Sequence, residues 1–346
     1  MQALERVMDS GWVVLGPEVK AFEAEFAQSL GAPHAVGVNS GTDALVIALK
    51  ALGVDRESEV ITVANTAVPT VSAIRMCGAK PVFVDIEAST LLMDVSKVEA
   101  LITERTRCII PVHLHGLSVD MDPLLAIAQG HQIPIIEDCA QSQGAEYKGK
   151  ATGTMGSMGC FSFYPTKNMG AFGDGGLITC QSETHAEAMQ QLRMYGFKGD
   201  GYAHREGINS RLDEIQAAML RIKLTHFAES FSTRRKLAEE FHERIQNPQL
   251  RLPLEPEGRM HAYHLFVIHC EQREELIKHL QSHHIGFGIH YAVPIHRMKA
   301  YEFLDYLPGS LPNTELAADS ILSLPFYPLM PEQDKEQLFQ VLNSFR

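Results

Sequence analysis

Five short apolar runs recur through the first 140 residues of the chain: Val36–Asn39, Glu59–Val63, Pro81–Asp85, Cys108–Leu114 and Ile133–Glu137. Most are rich in β-branched residues and read as buried strands. Helical patterns alternate with them, over 17–30 (Val19, Phe22, Phe26 and Leu30 at helical spacing), Ala44–Leu52, Val68–Cys77, Val95–Ile102 and Pro123–Gln129. Strands alternating with helices predict an α/β fold with a mostly parallel sheet covered on both faces. In such sheets ligands sit at the carboxyl ends of the strands, so strand ends are the places to look for chemistry.

Three of those ends carry suitable groups. After Val36–Asn39 comes Ser40-Gly41-Thr42-Asp43, where Ser40 or Thr42 can cap the next helix and free N–H groups can hold an anion; an ordinary N-cap is the competing reading. Glu137-Asp138 closes another run, and a buried Asp138 needs a cationic partner or caps the following turn. The third is Cys160–Gly176, CFSFYPTKNMGAFGDGG. Its aromatic run ends at Pro165-Thr166, Lys167 follows, and Gly170, Gly173, Gly175 and Gly176 then leave room for close backbone approach. A lysine at a strand end beside a ligand-sized gap can form a Schiff base with a carbonyl cofactor; the competing reading is a solvated loop lysine.

The remainder is less explicit. Leu177–Cys180 reads as a strand, His185–Met194 as a helix and Tyr195–Asn209 as an irregular, Gly- and charge-rich stretch. Ile215, Met219, Ile222 and Phe227 mark a long helix, with His226 as a packing or surface residue, and Phe231–Ile245 continues in helical pattern. A boundary near 230 divides a large domain, 1–230, from a smaller α+β domain, 231–346. The latter is expected to hold a strand over His261–His269 and helices over Glu274–His283 and Gln333–Phe345. Trp12 is expected to pack.

A chain of 346 residues with 45% hydrophobic content can bury such a core, and a formal charge of −12 argues against non-specific nucleic-acid binding. The six cysteines are scattered with no CxxC, and the histidines fit no tetrahedral set, so no metal site is expected. No run approaches the ~18 apolar residues of a membrane span. These features predict a reduced, cytoplasmic protein.

Together, a helix N-terminus after SGT, an Asp at one strand end and a Ser and Lys at another suit pyridoxal 5′-phosphate, whose phosphate, ring nitrogen and aldehyde want those groups. Here the chain resembles the DegT/DnrJ/EryC1/StrS aminotransferases, in NSGTDAL (39–45), GAKPVFVDI (78–86), IEDCAQSQGA (136–145), CFSFYPTKNMGAFGDGG (160–176), NSRLDEIQAAML (209–220), HYAVPIH (290–296) and LSLPFYP (322–328). The resemblance implies a PLP-dependent transferase of fold type I with a seven-stranded, mostly parallel large-domain sheet. It implies that Lys167 holds the cofactor as an internal aldimine, that Asp138 pairs with the ring nitrogen, and that Gln141 approaches the ring hydroxyl. Gly41, Thr42 and Ser162 would bind the phosphate. Asn209 would reach the cofactor of a neighbouring subunit, making a homodimer with shared sites. Many relatives place an aromatic residue over the ring where this chain has Ala67; His115 is a candidate to compensate.

The function so implied is amino transfer from L-glutamate to a nucleotide-linked keto-sugar, such as a dTDP- or UDP-linked deoxy keto-hexose. A free cyclic ketone (an inosose or an aminobenzoate-type precursor) is the alternative acceptor, and a PLP-binding regulatory protein without turnover is the alternative class. Tyr202, His204, His290 and His296 are candidates to touch substrate.

Overall fold

The computed structural model describes all residues, Met1–Arg346. Its large sheet is built from β1 (His34–Val38), β2 (Glu59–Val63), β3 (Lys80–Val84), β4 (Thr106–Ile109), β5 (Ile136–Asp138), β6 (Met158–Ser162) and β7 (Gly176–Cys180). Two hydrogen-bonded groups, β3-β2-β4 and β5-β6-β7-β1, are joined by parallel bridges from Ile109 to Ile135 and from Val112 to Asp138. The result is the expected seven-stranded sheet. Only β7 runs against the rest, pairing antiparallel with both β6 and β1.

Burial on both faces follows from the side-chain alternation within the strands. In β6, Met158 and Cys160 face a cluster with α3 (Gly41–Ala51) and α6 (Glu183–Leu192), while Phe161 and the following Phe163 face α2 (Pro17–Leu30) and α7 (Glu214–Thr225). Phe26 meets both rings edge-on at 5.1 and 5.5 Å. The other helices of this part are α1 (Gln2–Ser10), α4 (Val68–Met76) and α5 (Met121–His131). A carboxylate fastens α2 to α7: buried Glu214 accepts the first-turn N–H groups of Gly16, Glu18 and Val19 at 2.8–2.9 Å. Those donors have no partner within α2.

The C-terminal part has its own core of eighteen buried residues, from Leu237 to Phe345. It comprises α8 (Phe227–Arg244), α9 (Arg273–Ser282), α10 (Pro312–Ser320), α11 (Glu332–Ser344) and the antiparallel pair β8 (Phe266–His269) and β9 (Ile321–Leu324). Residue 230 lies inside α8.

Three local expectations are corrected. Val95–Ile102 forms two single 3₁₀ turns, Val95–Lys97 and Glu99–Leu101, instead of a helix. Asp94 accepts from Ser96 N–H at 3.2 Å, and a stretch this short gains little from helical nucleation. Of His261–His269 only Phe266–His269 is strand, because the His261 ring accepts the Tyr263 N–H at 2.8 Å and Tyr263 takes a positive φ of 43°. Trp12 does not pack: it is 55% exposed, with its indole N–H on the Val14 carbonyl at 2.8 Å.

Candidate active site

The turn between β1 and α3 opens the site. Ser40 caps α3, its hydroxyl accepting from Asp43 N–H at 3.1 Å. The N–H groups of Gly41 and Thr42 are then first-turn donors with no intrahelical partner. They face the end of β6 closely: a Cβ on Gly41 would come within 2.6 Å of the Ser162 Cβ. Only glycine permits that approach, so the donors and the Ser162 hydroxyl share one small space.

That space is one end of a cavity of about 290 Å³, lined by Gly41, Thr42, Ser162, Asp138, Gln141 and Lys167, with Thr66, Ala67, Thr70, Tyr164 and Asp174 also on its wall. Six of the seven residues expected to bind the cofactor therefore meet in one cavity, at the carboxyl ends of β1, β5 and β6. A larger apolar groove of about 610 Å³ between α2, α7 and α8 contains none of them, so size is no guide to the chemistry here.

Local backbone bonds, α7 and a loop hold the lysine segment. Lys167 N–H donates to the Tyr164 carbonyl at 2.8 Å and Ala171 N–H to the Phe163 carbonyl at 2.7 Å. From α7, Gln216 exchanges two hydrogen bonds with the Phe172 backbone, at 2.8 and 3.1 Å, and Lys223 donates to the Gly170 carbonyl at 2.5 Å. Asn168 donates to the Ala262 carbonyl at 3.0 Å, which ties the segment to the C-terminal part.

Charge is concentrated on two groups. Asp138 is buried at the end of β5, and its oxygens accept from the Thr70 hydroxyl at 2.8 Å and from Ala140 N–H at 3.1 Å. Burial pushes its carboxyl above the usual range, against the pull of Thr70, Ala140 and the charges of Lys167 and His113. Burial pushes the Lys167 amine below its usual value, opposed by Asp138. An amine so shifted is more readily the neutral nucleophile.

The other predicted residues are placed elsewhere. Asn209 is exposed, bridged to Met194, and does not reach this cavity within one chain. Tyr202 is 68% exposed, and His204 is exposed and paired with Asp200 at 2.7 Å. His290 flanks the site; its ring meets Ser323 at 2.8 Å and its carbonyl meets His115 Nε2 at 3.0 Å. His296 is buried away from the cavity, against Glu315 at 3.2 Å. His115 lies behind the cavity wall, where its backbone N–H donates to Gln141 Oε1 at 2.7 Å.

Two site residues went unrecognised in the sequence. Thr70 reaches Asp138 from the first turn of α4; its only sequence signal is its i, i+4 spacing from Thr66. Tyr291 accepts from Gln141 Nε2 at 3.0 Å, across 150 residues of chain, and burial raises its phenol to about 12. Nothing local in HYAVPIH announces that long-range contact.

Comparison with known proteins agrees with this geometry. The model of the DegT/DnrJ/EryC1/StrS aminotransferase family matches residues 1–343. The dTDP-3-amino-3,4,6-trideoxy-α-D-glucose transaminase of Micromonospora megalomicea is 42% identical, over 99% of this chain and 94% of its own. The UDP-N-acetyl-3-dehydro-α-D-glucosamine 3-aminotransferase of Acidithiobacillus ferrooxidans is 38% identical, over 99% and 92%. Among solved structures, Streptomyces venezuelae DesV, in complex with a ketimine intermediate, superposes with a TM-score of 0.96 at 41% identity, covering 99% of this chain and 92% of that one. The chain belongs to the DegT/DnrJ/EryC1/StrS aminotransferase family.

Proposed function

We propose that this protein moves an amino group from L-glutamate to a keto-sugar carried on a nucleotide, a dTDP- or UDP-linked deoxy keto-hexose. The observation that carries the reading is the single cavity in which Lys167 and Asp138 stand beside the free N–H groups of α3. The two relatives named above act on dTDP- and UDP-linked sugars, which favours a nucleotide-linked acceptor over a free ring ketone.

The cofactor of the family is pyridoxal 5′-phosphate. The residues present fit it. The close approach of Gly41 to Ser162 leaves a cradle with N–H and hydroxyl donors for a phosphate. Asp138 is an ionisable acceptor for a ring N–H, and Lys167 is an amine whose burial lowers its basicity, suited to a carbonyl. When bound, this group supplies a carbonyl that carries amino nitrogen and a ring that accepts electrons.

The chain's own residues then have distinct tasks. The N–H groups of Gly41 and Thr42 and the hydroxyls of Thr42 and Ser162 anchor the anionic end. Asp138, held by Thr70 and Ala140, keeps a proton on the ring nitrogen. Gln141 is oriented by the His115 N–H and the Tyr291 hydroxyl toward the ring hydroxyl. In each half-reaction the Lys167 amine would move one proton between the substrate carbon and the carbon of the bound group's carbonyl, off the donor's α-carbon in the first and onto the acceptor carbon in the second; general acid–base work of this kind contributes ~10²–10⁴-fold.

The same reading makes the protein a cytoplasmic homodimer with Asn209 donated to the partner's site, in two domains divided near residue 230. No helix is long and apolar enough to cross a membrane. The testing experiment supplies the purified protein with pyridoxal phosphate, L-glutamate and a panel of dTDP- and UDP-linked keto-hexoses and free inososes, and measures 2-oxoglutarate. Release with a nucleotide-linked acceptor, lost in Lys167→Ala, is the expected outcome. Release with free ring ketones alone would redirect the substrate reading, and no release with any acceptor would favour a regulatory role.

A further inference from the structure

The Thr70 hydroxyl that holds Asp138 is itself the end of a short line of hydroxyls. Thr66 Oγ1 and Thr70 Oγ1 are 2.9 Å apart, and Thr70 Oγ1 is 2.8 Å from Asp138 Oδ2. All three residues are buried, with 2%, 1% and 4% exposure. Thr70 sits in the first turn of α4, and Thr66 lies in the bend just before its N-cap Ala67, where the chain turns into the helix and brings the two hydroxyls together beside Asp138.

The order of protons along this line is constrained. An ionised carboxylate only accepts, so Thr70 must give it its single proton. The Thr70 oxygen is then left as an acceptor, and Thr66 must donate to it. The donors point one way, toward Asp138, and each polarises the next. Protonating Asp138 weakens these bonds, because hydrogen bonds to an ionised acceptor are the stronger kind, so the line favours the carboxylate. We propose that Thr66 and Thr70 form a directed hydroxyl relay that keeps Asp138 ionised and aimed at the cofactor's ring nitrogen, making Thr70 a positioning residue for the amino transfer.

This inference rests on the proposed cofactor role of Asp138. Its physical need is plain on geometry: a carboxylate as buried as Asp138 requires hydrogen bonds to hold its charge. Ala140 N–H supplies one such bond at 3.1 Å and Thr70 the other. Without Thr70 the carboxylate becomes more basic and draws the proton from the ring nitrogen. The ring then accepts electrons poorly, although the phosphate cradle and Lys167 are untouched.

The test compares wild type, Thr70→Val, Thr70→Ser and Thr66→Val, each loaded with ring-¹⁵N-labelled pyridoxal phosphate. The ¹⁵N shift reports the ring proton directly, and the half-reaction with L-glutamate is followed by absorbance. In wild type the nitrogen is protonated. Thr70→Val moves the shift toward neutral pyridine and slows the half-reaction by roughly 10-fold or more, the scale set by losing a hydrogen bond to a charge. Thr70→Ser restores both, and Thr66→Val gives a smaller change of the same sign. A Thr70→Val protein with unchanged cofactor affinity, a fully protonated ring and a wild-type half-reaction overturns the relay. An unprotonated ring in the wild type itself overturns it together with the role given to Asp138. Failure of the wild type to take up the cofactor would instead contradict the functional reading as a whole.

Discussion

Gln141 and Tyr291 are joined by a hydrogen bond of 3.0 Å between the amide Nε2 and the phenol oxygen. The bond links the turn after β5 to the segment that precedes the last helices, and it fixes which way the Gln141 amide points. Its other end accepts from His115 N–H at 2.7 Å, so both termini of the amide are committed. Replacing Tyr291 with Phe leaves a buried N–H without its partner. Catalytic efficiency should fall about 3- to 10-fold, the equivalent of about 1 kcal/mol, with the fold intact. Steady-state kinetics with the best acceptor checks this, and an unchanged kcat/KM would mean that Gln141 does not depend on Tyr291.

The lowered Lys167 amine sets a pH dependence. Uptake of the cofactor needs the neutral amine, so uptake by apo-protein should set in below the ordinary lysine range near 10.4. Asp138 opposes the shift, because its negative charge favours the ammonium form. Asp138→Asn removes that opposition, and the onset of uptake should move to lower pH still, even as turnover is lost. Absorbance-monitored uptake across a pH series measures the onset; movement to higher pH in the variant would contradict the sign.

Asn209 is exposed and does not line its own chain's cavity, and the reading proposed above gives it to the partner's site. Lys167→Ala and Asn209→Ala should each be nearly inactive alone. Mixed, unfolded and refolded together, they should recover about a quarter of wild-type activity, since random pairing of a two-fold dimer gives half heterodimers with one intact site each. No recovery, in a mixture shown to contain heterodimers, would place Asn209 outside the shared site.

The Glu214 carboxylate is a structural counterpart to these. It accepts three N–H groups at the start of α2 and is only 1% exposed. Glu214→Ala should lower unfolding stability by about 2–4 kcal/mol, from lost capping and orphaned buried donors. Urea denaturation measures it; a change below about 0.5 kcal/mol would be a surface-like response and would contradict the fastening role.

The outcome shows which features a sequence carries on its face. The sheet was legible because strands buried on both faces read as continuous apolar runs, and the helices between them keep a 3.6 period. Gly41, Thr42, Asp138, Ser162 and Lys167 drew attention because each falls at or just beyond the end of such a run, whereas Gln141 was marked only by the family resemblance. Thr70 was not, because a threonine on a helix looks the same whether it faces solvent or a carboxylate. Tyr291 was hidden by the 150 residues that separate it from Gln141. His296 drew attention by its family stretch, yet it lies buried against Glu315. His261–His264 read as strand because their alternation is real, although buried side chains bonding to backbone prevent the ladder.

The central claim is that Lys167 is the amine that carries the cofactor. Holoenzyme reduced with borohydride, digested and analysed by mass spectrometry tests it directly. The account predicts a single pyridoxyl-phosphate adduct on the peptide containing Lys167, and none when L-glutamate is added before reduction. An adduct on another lysine, or an unmodified Lys167 in a protein that turns over, would contradict it.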